Sequence, residues 1–255
     1  MPMPENLIAD CISGIRTSIV FLTRLPLGEG AAGAETNIAR ASWAFPIAGI
    51  IVGLIGGVVY ALAYRLGLGA WPAAALCVAA TLAVTGCLHE DGLADTADGF
   101  GGGATRERKL EIMRDSRIGT YGVCALALSI LLRVAAIATL ARPSFAFWAL
   151  IAAHGAARAA LPIFMTIVPP ARDDGLSHAA GQPTQQNAMI AGVLGVLILA
   201  VFLGPLAGIA ALVLLVVVMG LMAWLSSSQI GGQTGDVLGA LEQVSEVAVL
   251  LIALR

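Results

Sequence analysis

The apolar residues of this chain come in unbroken runs long enough to cross a lipid bilayer. A helix needs about 20 mostly apolar residues to traverse a hydrocarbon core of roughly 30 Å. Such runs recur at Trp43 to Leu66, Ala70 to Leu88, Tyr121 to Ala141, Ser144 to Val168, Ala188 to Leu203 and Leu206 to Leu225, with Gly204-Pro205 as the turn between the last two. They are continuous rather than alternating, which favours helices over a barrel. The expected fold is an all-α polytopic membrane bundle of six to seven transmembrane helices with an acidic cytoplasmic loop or helix. Only 12% of the 255 residues are charged, against about 25% in a soluble domain. That argues against a cytosolic enzyme, a disordered tail or a nucleic-acid binder with a basic face.

A seventh span, Val237 to Leu254, requires Glu242 and Glu246 to face protein or a polar cavity. Leu7 to Leu27 is apolar but interrupted by Asp10, Arg16 and Arg24, so residues 1–42 are expected to form an interfacial segment. The start carries Glu5 and Asp10 and no base before residue 10, unlike the positive end of a signal peptide. The length leaves no room for an additional soluble domain, so residues 1–255 are expected to be one integral-membrane unit. The four cysteines lack any C-x-x-C spacing and are expected to be small buried hydrophobes.

Charge is concentrated rather than spread. Residues 89–120 hold seven of the sixteen acids and five of the fourteen bases, whereas 175–235 hold none of either. With the N-terminal bases inside, the positive-inside rule places residues 89–120, Arg172 and the Gly-rich run 230–236 on the cytoplasmic side, leaving Arg65 and Arg142 opposite. A soluble charged substrate is met there.

The densest run reads His89-Glu90-Asp91-Gly92-Leu93-Ala94-Asp95-Thr96-Ala97-Asp98-Gly99. Spacings of four and three put Asp91, Asp95 and Asp98 on one helix face. Like charges so close repel unless a cation lies among them, and all-oxygen ligands favour Mg²⁺ or Mn²⁺ over Zn²⁺. A merely solvated loop needs no such alignment. In the following segment, Arg106 to Arg117, a helix sets Glu111 and Asp115 on one face, a fourth metal carboxylate, with Arg114 and Arg117 beside them. Arginine suits bidentate phosphate contact, and acids plus arginines equip a site for a metal-bound diphosphate. Gly231-Gly232-Gln233-Thr234-Gly235-Asp236 can present backbone N–H groups to an anion or form an ordinary turn. Within the spans, Arg133, His154 and Arg158 need a polar interior; a pair with Glu242 or Glu246 and a substrate contact are both open.

These stretches resemble a known family, the adenosylcobinamide-GDP ribazoletransferases or cobalamin 5′-phosphate synthases. The resemblance is carried by Phe21-Leu22-Thr23-Arg24-Leu25-Pro26, by His89 to Gly99, by Leu110 to Arg117 continuing through Gly119-Thr120, and by Gly231 to Asp236 followed by Leu238-Gly239-Ala240. It implies a multipass enzyme of the bacterial inner membrane that works from the cytoplasmic face and requires Mg²⁺. Its implied reaction joins adenosylcobinamide-GDP to α-ribazole or its 5′-phosphate and releases GMP. Such phosphoryl transfers depend on positioning and charge neutralisation. On this basis Asp91, Asp95, Asp98 and Asp115 are expected to hold one or two Mg²⁺ ions, with Asp91 and Asp98 catalytic and Asp98 taking the hydroxyl proton. Lys109, Arg114 and Arg117 are expected to bind phosphates, with Arg24, His89, Gln233, Thr234 and Asp236 as further substrate contacts. A homo-oligomer or a complex with other enzymes of the pathway stands as an open expectation. A wide cavity toward the cytoplasmic leaflet is expected for the corrinoid.

Two rivals stand beside this expectation. A CDP-alcohol phosphatidyltransferase-like enzyme also lines up aspartates, but its motif places D-G and A-R differently, and no Ala-Arg follows Gly92 here. A cation-coupled transporter needs intramembrane carboxylates along an ion path, and 175–235 offers none.

Overall fold

The computed structural model describes residues 7–27 and 38–255, and of residues 176–178 the backbone alone. The remainder of the predicted interfacial segment, Glu5 included, lies outside the described residues. The described chain is helical in the order α1 (Leu7–Leu22), α2 (Ile38–Ala41), a 3₁₀ turn (Ser42–Ala44), α3 (Phe45–Arg65), α4 (Ala70–Thr85), α5 (Leu88–Gly102), α6 (Arg106–Ile112), α7 (Thr120–Leu140), α8 (Pro143–Ile167), α9 (Gly175–Ala180), α10 (Gln185–Leu203), α11 (Pro205–Ile230) and α12 (Gly235–Ile252). Extended pairing among the described residues is confined to one isolated parallel bridge, Pro170 with Gln233.

Five stretches are long and apolar enough to span: Ile38–Arg65, α7, α8, α10 and α11. The predicted span Ala70 to Leu88 is shorter than expected. Gly86 (φ 63°) and Cys87 (φ 58°) both adopt the left-handed conformation and end α4, so α5 leaves at 91°. Glycine takes that conformation freely; the following cysteine takes it against its own preference, and together they turn the acidic segment back into the protein. The pair α4 and α5 counts at most as one broken span, giving six. Residues 88–102, expected in a loop or helix at the surface, form a helix packed between α7 and α12, with His89, Glu90, Thr96 and Asp98 buried. α12 occupies the predicted seventh position, and Glu242 and Glu246 are 0% and 2% exposed, facing protein as their charge demands.

α8 is the central column. Its alanine-rich faces let neighbours approach closely, as small residues do in membrane bundles. A methyl group added to Gly49 of α3 would collide with the His154 backbone carbonyl of α8. α10 and α11, by contrast, present Val193, Val201, Val213 and Val217 outward, the pattern of a hairpin on the lipid side. The cysteines divide: Cys77 is buried as expected, but Cys87 and Cys124 are exposed, one at the α4–α5 break and one on an outer face of α7.

The polar connections converge at one end of the bundle. Arg106 at the start of α6 donates from Nε to the Ile230 carbonyl (2.8 Å) and from Nη2 to the Ala171 carbonyl (2.5 Å). The segment after α8 is tied to the Gly-rich turn by Ala171 N–H to Gln233 O and Gln233 N–H to Pro169 O, each 2.8 Å. Residues 106–117, 168–175 and 230–236, far apart in sequence, thus form one polar cap.

Candidate active site

α5 carries the acids to this end, and its glycine sets their distance from α12. Gly92 lies against the backbone of Asp236 and Gly239, close enough that a methyl group there would sit 2.8 Å from the Asp236 carbonyl oxygen. The two helices therefore touch main chain to main chain, which brings Asp236 beside Asp91 and Asp95. The negative charges of Asp91, Asp236 and Asp98 all bear on Asp95, and Arg172 opposes them. Asp236 accepts a hydrogen bond from the Thr234 hydroxyl (3.1 Å) and lies 3.6 Å from the Arg172 guanidinium. Thr234 itself caps α12, accepting from the Val237 N–H (3.3 Å).

The predicted metal quartet is divided by the structure. Asp98 is turned to the start of α7, where its two oxygens accept from the Gly119 N–H (2.7 Å) and the Gly122 N–H (2.9 Å). A carboxylate there satisfies otherwise unpaired donors at the positive end of a helix. Asp115 is held by Arg117 through side-chain and backbone bonds of 2.6 to 3.2 Å. Those bonds hold its carboxyl at about 2, below the usual 3.8, and raise the Arg117 guanidinium in turn. Asp91 is exposed and Asp95 half-buried, both unencumbered by such a bond. Asp91, Asp95 and Asp236 offer only oxygen donors, a chemistry that suits a hard divalent cation.

The predicted phosphate contacts also separate. Arg114 donates from Nη2 to both carboxylate oxygens of Asp174 (2.6 and 2.7 Å). The Lys109 amine donates to Gln229. Gln233 is buried, its backbone in the bridge to Pro169 and Ala171. Arg24 lies over the α4–α5 break, its N–H bonded to the Val84 carbonyl (2.7 Å) and its side chain against Gly86. Sequence reasoning missed Arg172, whose Nη1 makes no hydrogen bond although the residue is largely covered. Its signal was its isolation as the one base between Arg158 and Arg255.

Two cavities flank α5. One, of about 470 Å³, is lined by Glu90, Asp91, Asp95, Arg114, Asp115 and apolar residues of α4 and α7. The other, of about 90 Å³, lies toward α1, α3, α8 and α12 and is walled by Phe21, Phe45, Leu88, Leu161 and Met165. Asp91 lines both.

Behind the acids lies a buried charged network. Arg158 pairs with Glu242 (2.5 Å), Arg133 with Glu90 (2.9 Å) and Glu246 (3.6 Å), and His154 with Glu246 (3.1 Å). His89, expected to touch substrate, turns Nδ1 toward Arg158 (3.3 Å) and Glu242 (3.6 Å) while its ring forms part of the smaller cavity's wall. Of the two readings open for Arg158 and His154, the structure shows the pair with Glu242 and Glu246, and Glu90 is the member that the sequence did not single out. Among the described residues, His154, Glu242 and Glu246 are the acids and imidazole whose ligand atoms converge within 4.8 Å, but the guanidinium groups of Arg158 and Arg133 already supply the positive charge there.

The sequence matches the cobalamin-5-phosphate synthase family over residues 14–254, nearly its whole length. The chain belongs to the cobalamin-5-phosphate synthase family. The adenosylcobinamide-GDP ribazoletransferase of Bradyrhizobium diazoefficiens is 54% identical, covering 98% of this chain and 94% of that relative. The enzyme of the same name from Mesorhizobium japonicum is 52% identical over 98% and 94% of the two chains, and that of Brucella ovis 41% over 97% and 96%. No solved structure matches the chain. With membership of the cobalamin-5-phosphate synthases, the expectations of a CDP-alcohol transferase and of a transporter fall away, and the acid-lined end of α5 becomes the place to look for the chemistry.

Proposed function

We propose that this chain joins adenosylcobinamide-GDP to α-ribazole or its 5′-phosphate with release of GMP, and that the reaction takes place at Asp91. The observation that carries the assignment is the position of Asp91, exposed at the junction of the two cavities with Asp95 and Asp236 beside it. The ribose hydroxyl oxygen of the acceptor bonds to the cobinamide-linked phosphorus. The bond from that phosphorus to the bridging oxygen breaks, and GMP leaves with the electron pair. The hydroxyl proton passes to the Asp91 carboxylate. This role suits Asp91 better than Asp98, whose oxygens are engaged by α7.

Asp91, Asp95 and Asp236 are the residues proposed to hold Mg²⁺, which would neutralise diphosphate oxygens and polarise the phosphorus. Arg172, with a guanidinium nitrogen free of hydrogen bonds beside Asp236, and Arg114 at the rim of the larger cavity are proposed to clamp phosphate oxygens. The polar cap is proposed to face the cytoplasm of the inner membrane, because Arg106, Arg108, Lys109, Arg114, Arg117 and Arg172 lie at this end. Detergent-purified protein is expected to release GMP from adenosylcobinamide-GDP only when acceptor and Mg²⁺ are both present, and to stop on chelation. Asp91→Asn is expected to abolish release while the protein still inserts and elutes as wild type. Release by Asp91→Asn at the wild-type rate refutes the assignment.

A further inference from the structure

We infer that the smaller cavity is the seat of the acceptor's heteroaromatic base, so that donor and acceptor approach Asp91 from opposite sides of α5. The inference rests on the ribazole transfer proposed above and extends it to a site for the second substrate.

Placement is the first support. A reaction between two bound molecules needs two sites that meet where the bond forms. The 470 Å³ and 90 Å³ cavities lie on different sides of α5, and Asp91 lines each of them. A hydroxyl attached to a ring in the smaller cavity and a phosphorus bound in the larger one come together at that carboxylate.

Wall chemistry is the second. Phe21 and Phe45 stack with ring centroids 5.9 Å apart and planes inclined by 23°, and Leu161 and Met165 of α8 line the same cavity. Aromatic faces and a polarisable thioether receive flat rings well. An ionised diphosphate buried against such walls loses its hydration without compensation. The polar side chains at this cavity are Ser42, His89, Asp91 and Asp236. The Ser42 hydroxyl is already given to the Ala39 carbonyl (2.8 Å) and the His89 Nδ1 faces Glu242 and Arg158, which leaves the two aspartates to meet the polar part of a ligand.

Size is the third. A corrin ring and a nucleoside diphosphate both far exceed 90 Å³. A cavity of roughly 150 Å³ encloses a benzene, so 90 Å³ takes in only the leading edge of a flat base and keeps the remainder, with its ribose, in the mouth. Guanine and adenine of the donor are as small, but they carry exocyclic amino or carbonyl groups that these apolar walls would leave unpaired, whereas the base of α-ribazole carries none.

The test uses the full-length protein in detergent and steady-state kinetics with each substrate varied in turn. Ala180→Leu, and separately Leu88→Phe, place bulk in the smaller cavity without touching an acid. Each is expected to raise the KM for α-ribazole by about tenfold or more, the scale set by a methylene in a filled apolar pocket, and to leave the KM for adenosylcobinamide-GDP unchanged. A rise in the donor KM, or no change in either, overturns the inference. Should both variants fail to fold, the wild-type protein is labelled with an azidobenzimidazole riboside. Crosslinks on Phe21, Phe45 or Met165 support the placement, and crosslinks confined to α4, α7 or Arg114 refute it. A wild-type protein that forms no product at all instead refutes the proposed reaction, which keeps the two failures apart.

Discussion

Replacing Gly92 with alanine probes whether the α5–α12 contact sets the chemistry. The added methyl would lie 2.8 Å from the Asp236 carbonyl oxygen, 3.0 Å from its Cα and 3.1 Å from the Gly239 Cα. Every one of these neighbours is main chain, so no side chain can swing aside. Restoring an ordinary contact of 3.4 Å requires the helices to part by at least about 0.6 Å. Overpacking of this kind costs about 1–3 kcal/mol, which a bundle of this size survives. The effect on transfer is larger, because Asp91 precedes Gly92 directly and moves relative to Asp236, and a shift near 1 Å in a positioned group costs about a hundredfold. The expected outcome is a fall in kcat of roughly ten- to a hundredfold with a well-folded protein, measured as GMP released under saturating substrates alongside thermal unfolding in detergent. A Gly92→Ala protein with wild-type kcat would refute the claim that the separation of Asp91 and Asp236 is set by this contact.

Asp98→Ala removes the cap on α7 and is expected to destabilise the protein by about 0.5–2 kcal/mol, read as a lower unfolding temperature with donor affinity retained; loss of donor binding at unchanged stability would restore Asp98 to the substrate site. Arg158→Met strands Glu242 in the interior at a cost of about 3–5 kcal/mol, and adding Glu242→Leu is expected to recover most of it; a double variant no more stable than the single one contradicts the pairing. For Asp115, the sign follows from its depressed carboxyl. Arg117 stabilises the charged form, so the contact is complete at neutral pH and is lost only as pH falls through about 2. Arg117→Gln is therefore expected to move the Asp115 titration up toward 3.8 in carboxyl-carbon NMR, and an unmoved titration rules out the contact in solution.

Apolar run length located α3, α7, α8, α10 and α11 to within a few residues, because a span has only one way to satisfy its backbone in lipid. It misjudged Ala70 to Leu88, where two successive left-handed residues end the helix; hydropathy carries no record of backbone conformation. Helical spacing aligned Asp91, Asp95 and Asp98, yet Asp98 went to α7 because the free N–H groups of Gly119 and Gly122 compete for it. That partner lies 21 to 24 residues away and leaves no periodic signal. Asp236 was legible as part of a Gly-rich turn, but its place beside Asp91 follows from a glycine contact between helices far apart in sequence. The buried pairs were legible only as a requirement: the acids of α12 had to face something, and the structure supplies Arg158, His154 and Arg133.

The buried pairs also impose an order on biogenesis. When Arg133 enters the membrane on α7, Glu90 has already been synthesised and can neutralise it at once. Arg158 enters on α8 with His89 and His154 for neighbours, but its carboxylate partner Glu242 is on α12 and is synthesised only after α10 and α11. A chain truncated before α12 therefore carries an uncompensated guanidinium in its central column, and it also lacks Asp236. The partner of Arg158 and the aspartate beside Asp91 arrive together, with α12, so a copy that stops short of this helix has neither a compensated interior nor the complete acid cluster.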